Sequence, residues 1–144
     1  MLFAEYQRFR YARPQLMEVI CQLRFPTILA IGAQEPAAFQ EAIRQDFPRY
    51  VARQEQLPPR LRPGNPPTLE PQKPVTNYNF ISTDNTWKLN LTQNFISLST
   101  LRYQRWEDFA VRLDKALAQF IQIYQPAFFE RVGLRYVNAF SRKA

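Results

Sequence analysis

From Leu16 to Phe25 the chain alternates. Val19, Cys21, Leu23 and Phe25 share one phase; Glu18, Ile20, Gln22 and Arg24 share the other. A period of two predicts a strand with one strongly apolar face, bracketed by Pro14 and Pro26. The short apolar run Ile28 to Ile31, before Gly32, reads as a continuation of that strand after a bulge or bend. The period then changes. In EPAAFQEAIRQDFP, Phe39, Ile43 and Phe47 recur every four residues and form one apolar stripe. This predicts a helix over Pro36 to Phe47, with Pro36 in the first turn and Glu35 near the positive helix end.

Residues 52–77 hold Pro58, Pro59, Pro63, Pro66, Pro67, Pro71 and Pro74, seven of the twelve prolines. Proline supplies no amide donor and resists helix, so the segment reads as an extended Pro-rich loop. Its spacing, PPRLRPGNPP, is not distinctive for a proline-rich ligand. Beyond it, Tyr78, Phe80 and Ser82 alternate with Asn79 and Ile81, STDNT supplies a turn at Asp84 and Asn85, and Trp87, Leu89 and Leu91 alternate with Lys88, Asn90 and Thr92. That is a hairpin. After Gln93 and Asn94 the apolar phase flips to Ile96 and Leu98, which requires a second turn and a third antiparallel strand. Trp106, Phe109, Leu113, Ala116, Leu117, Phe120 and Tyr124 mark a second helix that ends before Pro126. RVGLRYVNAF is a closing strand.

The order strand, helix, long loop, three strands, helix, strand fits a single α+β domain over 1–144. It predicts an antiparallel sheet of about five strands with two helices on one face. By analogy with the split β-α-β motif of ferredoxin-like folds, the first and last strands would lie side by side in the middle of the sheet.

Composition narrows the chemistry. The chain has 19 Lys and Arg against 12 Asp and Glu, a net charge of +7, and 15 of the 19 cations are arginine. Such a balance favours anionic partners, and arginine forks suit phosphate or carboxylate. No basic run stands out, so the charge belongs to a surface and not to a tail. Histidine is absent, which removes Ser-His-Asp, Cys-His and zinc-histidine sites together. The lone Cys21 sits in an apolar run and reads as a buried structural thiol. Gly32, Gly64 and Gly133 are too few and too scattered for a phosphate-cradling loop. There is no signal-peptide pattern in MLFAEYQRFRYARP and no run of 18 apolar residues, so a cytoplasmic protein is expected.

The candidate site follows from the strand phases. If the first and last strands are neighbours, Gln22, Arg24, Arg131 and Arg135 share the face turned away from the helices, a guanidinium cluster suited to phosphate or carboxylate. Lys88 and Asn90, from the polar phase of the central hairpin, extend that face. The competing reading is an ordinary solvated sheet surface. Glu18 and Glu130 are the carboxylates nearest those arginines in sequence and read as ion-pair partners; nothing in their spacing supports acid-base catalysis. Trp87 and Trp106 are in register with Leu89, Leu91, Phe109 and Leu113, which predicts core membership over a stacking role.

Three stretches, PQLMEVICQLRFP, FISTDNTWKLNLTQNFISLSTLRYQRWEDF and YQPAFFERVGLRYVN, resemble a sporadically distributed prokaryotic family for which no activity is established. The match runs through Pro14, Leu16, Glu18 and Val19, then Trp87, Leu89, Leu91, 95–98, Thr100, Tyr103, Trp106 and Phe109, then Arg131, 133–136 and Asn138. The resemblance spans nearly the whole chain and implies no reaction. Similar proteins continue into a second half past the final motif, whereas this chain stops at SRKA. The resemblance thus implies a shortened protein or an N-terminal domain, in which a site shared with a second half would be incomplete.

The expected function is therefore a non-enzymatic binding module. It recognises a protein partner or a second copy through its sheet, without cofactor, metal or membrane. The alternative is binding of nucleic acid or another polyanion on the arginine-bearing face. An enzyme would have to work with Asp, Glu, Lys or Tyr alone.

Overall fold

The computed structural model describes residues 17–138. In chain order its elements are β1 (Met17–Arg24), α1 (Leu29–Ala33), α2 (Ala37–Ile43), β2 (Arg49–Glu55), β3 (Arg60–Arg62), β4 (Thr68–Glu70), β5 (Val75–Ile81), β6 (Trp87–Leu91), β7 (Phe95–Thr100), α3 (Trp106–Tyr124) and β8 (Arg131–Asn138). Six strands form one sheet in the order β2-β5-β6-β7-β1-β8, and β3 and β4 form a separate two-stranded ribbon. Every neighbouring pair is antiparallel. The fold is thus α+β with an antiparallel sheet. Pro14 and Leu16, at the start of the expected first strand, and Ala139 and Phe140, at the end of the last, lie outside the described residues.

Register explains which face the helices cover. Cys21 lies opposite Leu98, Leu98 opposite Leu89, Leu89 opposite Phe80 and Phe80 opposite Tyr50. This apolar row runs across five strands, and the next, Leu23, Ile96, Leu91 and Tyr78, runs beside it. Helix side chains pack on both rows. Ile31 of α1, Phe39 and Ile43 of α2, and Phe109, Leu113, Ala116 and Phe120 of α3 join the same buried cluster. Rings bind the layers: Phe25 to Phe120 at 5.0 Å and Phe39 to Phe80 at 5.5 Å between centroids. Burying one such ring fully is worth roughly 1.5–3 kcal/mol.

Local signals set the boundaries. α3 carries Glu107 and Asp108 in its first turn, where the helix dipole favours acids. It ends at Gln125, whose left-handed backbone (φ 49°) lets its amide reach the Ile121 carbonyl at 2.9 Å, with Pro126 next. In the β5–β6 turn the Asp84 carboxylate accepts from the Ser82 hydroxyl (2.8 Å), the Thr86 hydroxyl (2.7 Å) and the Thr86 amide (3.1 Å). At the β6–β7 turn the Thr92 amide donates to the Phe95 carbonyl at 2.9 Å. Both turns and the hairpin strands fall where the alternation predicted.

Four expectations need correction. Ile28 to Ile31 does not prolong the first strand. The Ile28 amide donates to the Gln93 carbonyl, and the chain then coils into α1, where a Cβ on Gly32 would overlap the Gln93 side chain. α2 stops at Ile43 instead of Phe47, because three residues of turn follow it. The Pro-rich segment is not one loop. Its prolines fall between ladders, leaving Arg49–Glu55 to pair with Val75–Ile81 and Arg60–Arg62 to pair with Thr68–Glu70. Last, β1 and β8 do lie side by side, but β8 takes the edge of the sheet, so the expected central position of the last strand is not found. With β2 the sheet has six strands rather than about five, and with α1 the described residues hold three helices rather than two.

Candidate functional site on the open sheet face

The face away from the helices is built by the residues between the core positions. On β1 these are Ile20, Gln22 and Arg24; their partners on β8 are Arg135, Gly133 and Arg131. Arg24 therefore stands directly opposite Arg131, and Arg135 lies on the same side two strand positions further from Gly133. Together they line a depression of about 500 Å³ floored by Ile20, Gln22 and Gly133. All three arginines are exposed, and none makes an ion pair or a side-chain hydrogen bond among the described residues. Ion pairs between described residues lie elsewhere: Arg62 with Glu70 (3.7 Å), Arg105 with Asp108 (3.3 Å) and Lys115 with Asp46 (2.8 Å). Glu130 donates its backbone amide to the Arg24 carbonyl at 2.8 Å, so it helps set the strand and not the charge.

The row continues across the sheet. Arg24 faces Phe95 on β7, a half-buried ring on the open side. Gln22 faces Ser97, which faces Asn90, which faces Asn79. Lys88 lies between Ser99 and Ile81, exposed, and Arg49 lies beyond Ile81. Arg53 and Glu55 complete the far end, beside Asn77 and Val75.

The far half of this face satisfies itself. Asn90 Nδ2 donates to Asn77 Oδ1 (2.9 Å) and to Asn79 Oδ1 (2.7 Å), Asn79 Nδ2 donates to the Asn77 carbonyl (3.1 Å), and Asn77 Nδ2 donates to Glu55 Oε1 (2.9 Å). Asn77 and Asn79 are only 8% exposed, so these bonds meet the demand that buried amides be paired. Of the residues expected in the site, the fold brings Gln22, Arg24, Arg131 and Arg135 together. It sets Lys88 one strand pair away and ties Asn90 into the amide network. Phe95, Arg49 and Arg53 were missed. Phe95 was findable, since the phase flip that puts Ile96 and Leu98 in the core puts residue 95 on the other side.

The chain matches no family model, no curated protein and no solved structure.

Burial pushes the Cys21 thiol up, burial and then the Glu35 hydrogen bond push the Tyr50 phenol up to about 12, and burial raises Tyr124. Hydrogen bonds from Thr86 and Ser82 hold Asp84 down at about 2. Each of these groups is less able to exchange a proton near neutrality than its free counterpart. Among the described residues no cluster of three Cys, Asp or Glu could hold a metal, and no helix is long and apolar enough to cross a membrane.

A second cavity, about 590 Å³, lies between α2, the β5–β6 turn and the start of α3. Trp87 walls it, with the Arg112 guanidinium 4.4 Å from the centre of its ring. Two of its charge pairs, Lys115 with Asp46 and Arg105 with Asp108, are already closed. The expectation that both tryptophans are core holds only in part. Trp87 is half-buried against Phe109 at 5.7 Å. Trp106 is 43% exposed, because it opens the first turn of α3 and stacks one face on Phe109 (5.6 Å) while the other meets solvent.

Proposed function

We propose that this protein is a cytoplasmic, non-enzymatic binding module that takes a polyanion, single-stranded nucleic acid first, on the open face of its sheet. The observation that carries this reading is the pairing of Arg24 with Arg131, flanked by Arg135 and by the Phe95 ring, with no carboxylate among the described residues closing on any of the three arginines. Like charges placed directly opposite in an antiparallel ladder cost stability. A phosphate backbone returns that cost by charge-assisted bonds to the guanidinium forks. A ring beside the cations gives an unpaired base something to stack on.

The test is a titration with labelled single- and double-stranded oligonucleotides. Three phosphate contacts give a slope of about −2 in log affinity against log salt, so affinity for a single strand should drop by roughly 20-fold between about 50 and about 200 mM salt. The triple variant R24A/R131A/R135A should lose binding, and Phe95→Ala should weaken single strands more than duplex. Binding that ignores salt, or survives the triple variant, sinks the reading.

A second reading concerns the sheet edge. β8 is unpaired on its outer side among the described residues, and its helix-side row Val132, Leu134 and Tyr136 is 64%, 46% and 51% exposed. An apolar edge strand supports recognition of a protein strand by β-augmentation.

A further inference from the structure

The two edges of the sheet are not alike. β2 ends the sheet on one side and carries Arg49, Arg53 and Glu55, charges that discourage a further strand. Among the described residues β8 ends it on the other side and is eight residues long, without proline, with apolar side chains along one face. The outward backbone groups of β8 can be assigned. The Phe25 amide donates to the Asn94 carbonyl, so odd-numbered residues of β1 aim their amides at β7, and even-numbered ones aim theirs at β8. Arg24, Gln22 and Ile20 thus bond to Arg131, Gly133 and Arg135. The even-numbered Val132, Leu134 and Tyr136 are left with amides and carbonyls pointing outward.

We propose that β8 pairs antiparallel with β8 of a second copy about a twofold axis, with Leu134 opposite the partner's Leu134. The proposal rests on the edge reading above and names its occupant. Self-complementarity selects the register. With the axis at Gly133, Arg131 would face the partner's Arg135 twice over. With the axis at Arg135, Arg135 would face its own symmetry mate. With the axis at Leu134, no arginine faces another: Arg135 lies opposite the partner's Gly133 and Arg131 opposite the partner's Val137, while Val132 meets the partner's Tyr136 on the helix side. Like charges are apart and apolar groups together, over seven consecutive residues.

Gly133 supports the same register. Glycine inside a strand weakens it unless something approaches closely. Among the described residues nothing does: a Cβ at this position would meet none of their atoms within 4 Å, and its φ is not positive. In the proposed dimer the partner's Arg135 stem crosses it. The paired sheet would be twelve strands wide and would join the two arginine clusters across the axis.

Sedimentation of the full chain from micromolar to millimolar concentration tests this. A concentration-dependent dimer is expected, and a strict monomer overturns the proposal. Leu134→Lys should abolish the dimer with the far-UV spectrum unchanged. Gly133→Arg, tolerated in the open space of the monomer, faces the partner's Arg135 twice and should weaken the dimer roughly tenfold at low salt; no weakening overturns the register. Cysteine cross-linking in a Cys21→Ser background fixes it further. Facing residues of a bonded antiparallel pair stand about 5.5 Å apart at Cα, within disulfide reach, so Leu134→Cys should link two copies and Val132→Cys alone should not. Equal linking at both positions overturns the axis at Leu134. If the protein is a monomer, the acidic strand peptide VEVEVEV separates the two ideas. Binding that is lost in Leu134→Lys keeps the edge reading and overturns the second copy; no binding overturns both.

Discussion

The two faces of the sheet use the same strands for opposite purposes. On β1, Val19, Cys21 and Leu23 are buried under the helices, while Ile20, Gln22 and Arg24 alternate with them on the open side. The helix face is stabilised by rings and aliphatic chains removed from water, a force that needs no particular partner geometry. The open face depends on specific bonds. Where it has them, in the Asn77, Asn79, Asn90 and Glu55 network, it is closed to further demands. Where it lacks them among the described residues, at Arg24, Arg131 and Arg135, it leaves exposed charge that the proposed ligand would meet. On the proposed reading, stability and recognition are separated by one step along the strand and, on the open face itself, by the distance from β5 to β8.

The largest expected effect comes from breaking the helix face. Phe120 touches Phe25, Phe39, Tyr124 and Phe129 and is fully buried. Phe120→Ala should cost about 3–5 kcal/mol in denaturant unfolding, through lost transfer energy and the cavity left behind. The fraction that remains folded should bind oligonucleotide with wild-type affinity. A loss of affinity in that fraction would mean that the two faces are not independent.

A smaller loss is expected from the amide network. Asn90→Ala removes the donor to two buried carbonyl oxygens at once, which should lower stability by about 1–3 kcal/mol. Urea unfolding should show a lower midpoint with an unchanged slope, because the surface exposed on unfolding stays the same. Oligonucleotide affinity should not move. A stability-neutral Asn90→Ala combined with weaker binding would place Asn90 with the arginines as a ligand contact.

The contrast between the faces was partly legible in the sequence, and the limits are physical. Alternation identifies the faces of β1, β5, β6 and β7, whose core residues recur two positions apart, and of β8, whose Val132, Leu134 and Tyr136 keep the same period although all three are exposed. It fails for β2, where Tyr50 alone is even half-buried and there is no apolar phase to read. It fails in the same way for β3 and β4, whose six residues are all exposed, including Leu61 facing Leu69 at 64% and 69% exposure. β2 exists through backbone pairing with the distant β5, and β3 and β4 through a short local ladder with each other; the prolines around them mark their ends. α1 was misread because a five-residue helix shows too little of its period to be told from a strand. The arginine cluster was legible because it needed only two facts, that β1 and β8 are neighbours and that side chains alternate. The edge position of β8 was not, because strand order depends on which edge each strand finds.

The smallest stability effect is also the sharpest test, because its sign is reversed. Arg131 stands opposite Arg24, so replacing it by threonine, a good strand residue, removes a repulsion and no bond among the described residues. Arg131→Thr should melt at the same temperature as wild type or slightly above it, by no more than about 1 kcal/mol at low salt. Added salt should erase the difference, since exposed charges this close are screened as the Debye length contracts. The same substitution should weaken single-strand binding and make the salt slope shallower by about 0.7. A side chain whose removal firms the fold and weakens the complex serves the ligand and not the sheet. If Arg131→Thr instead destabilised the protein, the guanidinium would be holding β8 in place, and the division of labour between the two faces would have to be redrawn at the β8 edge.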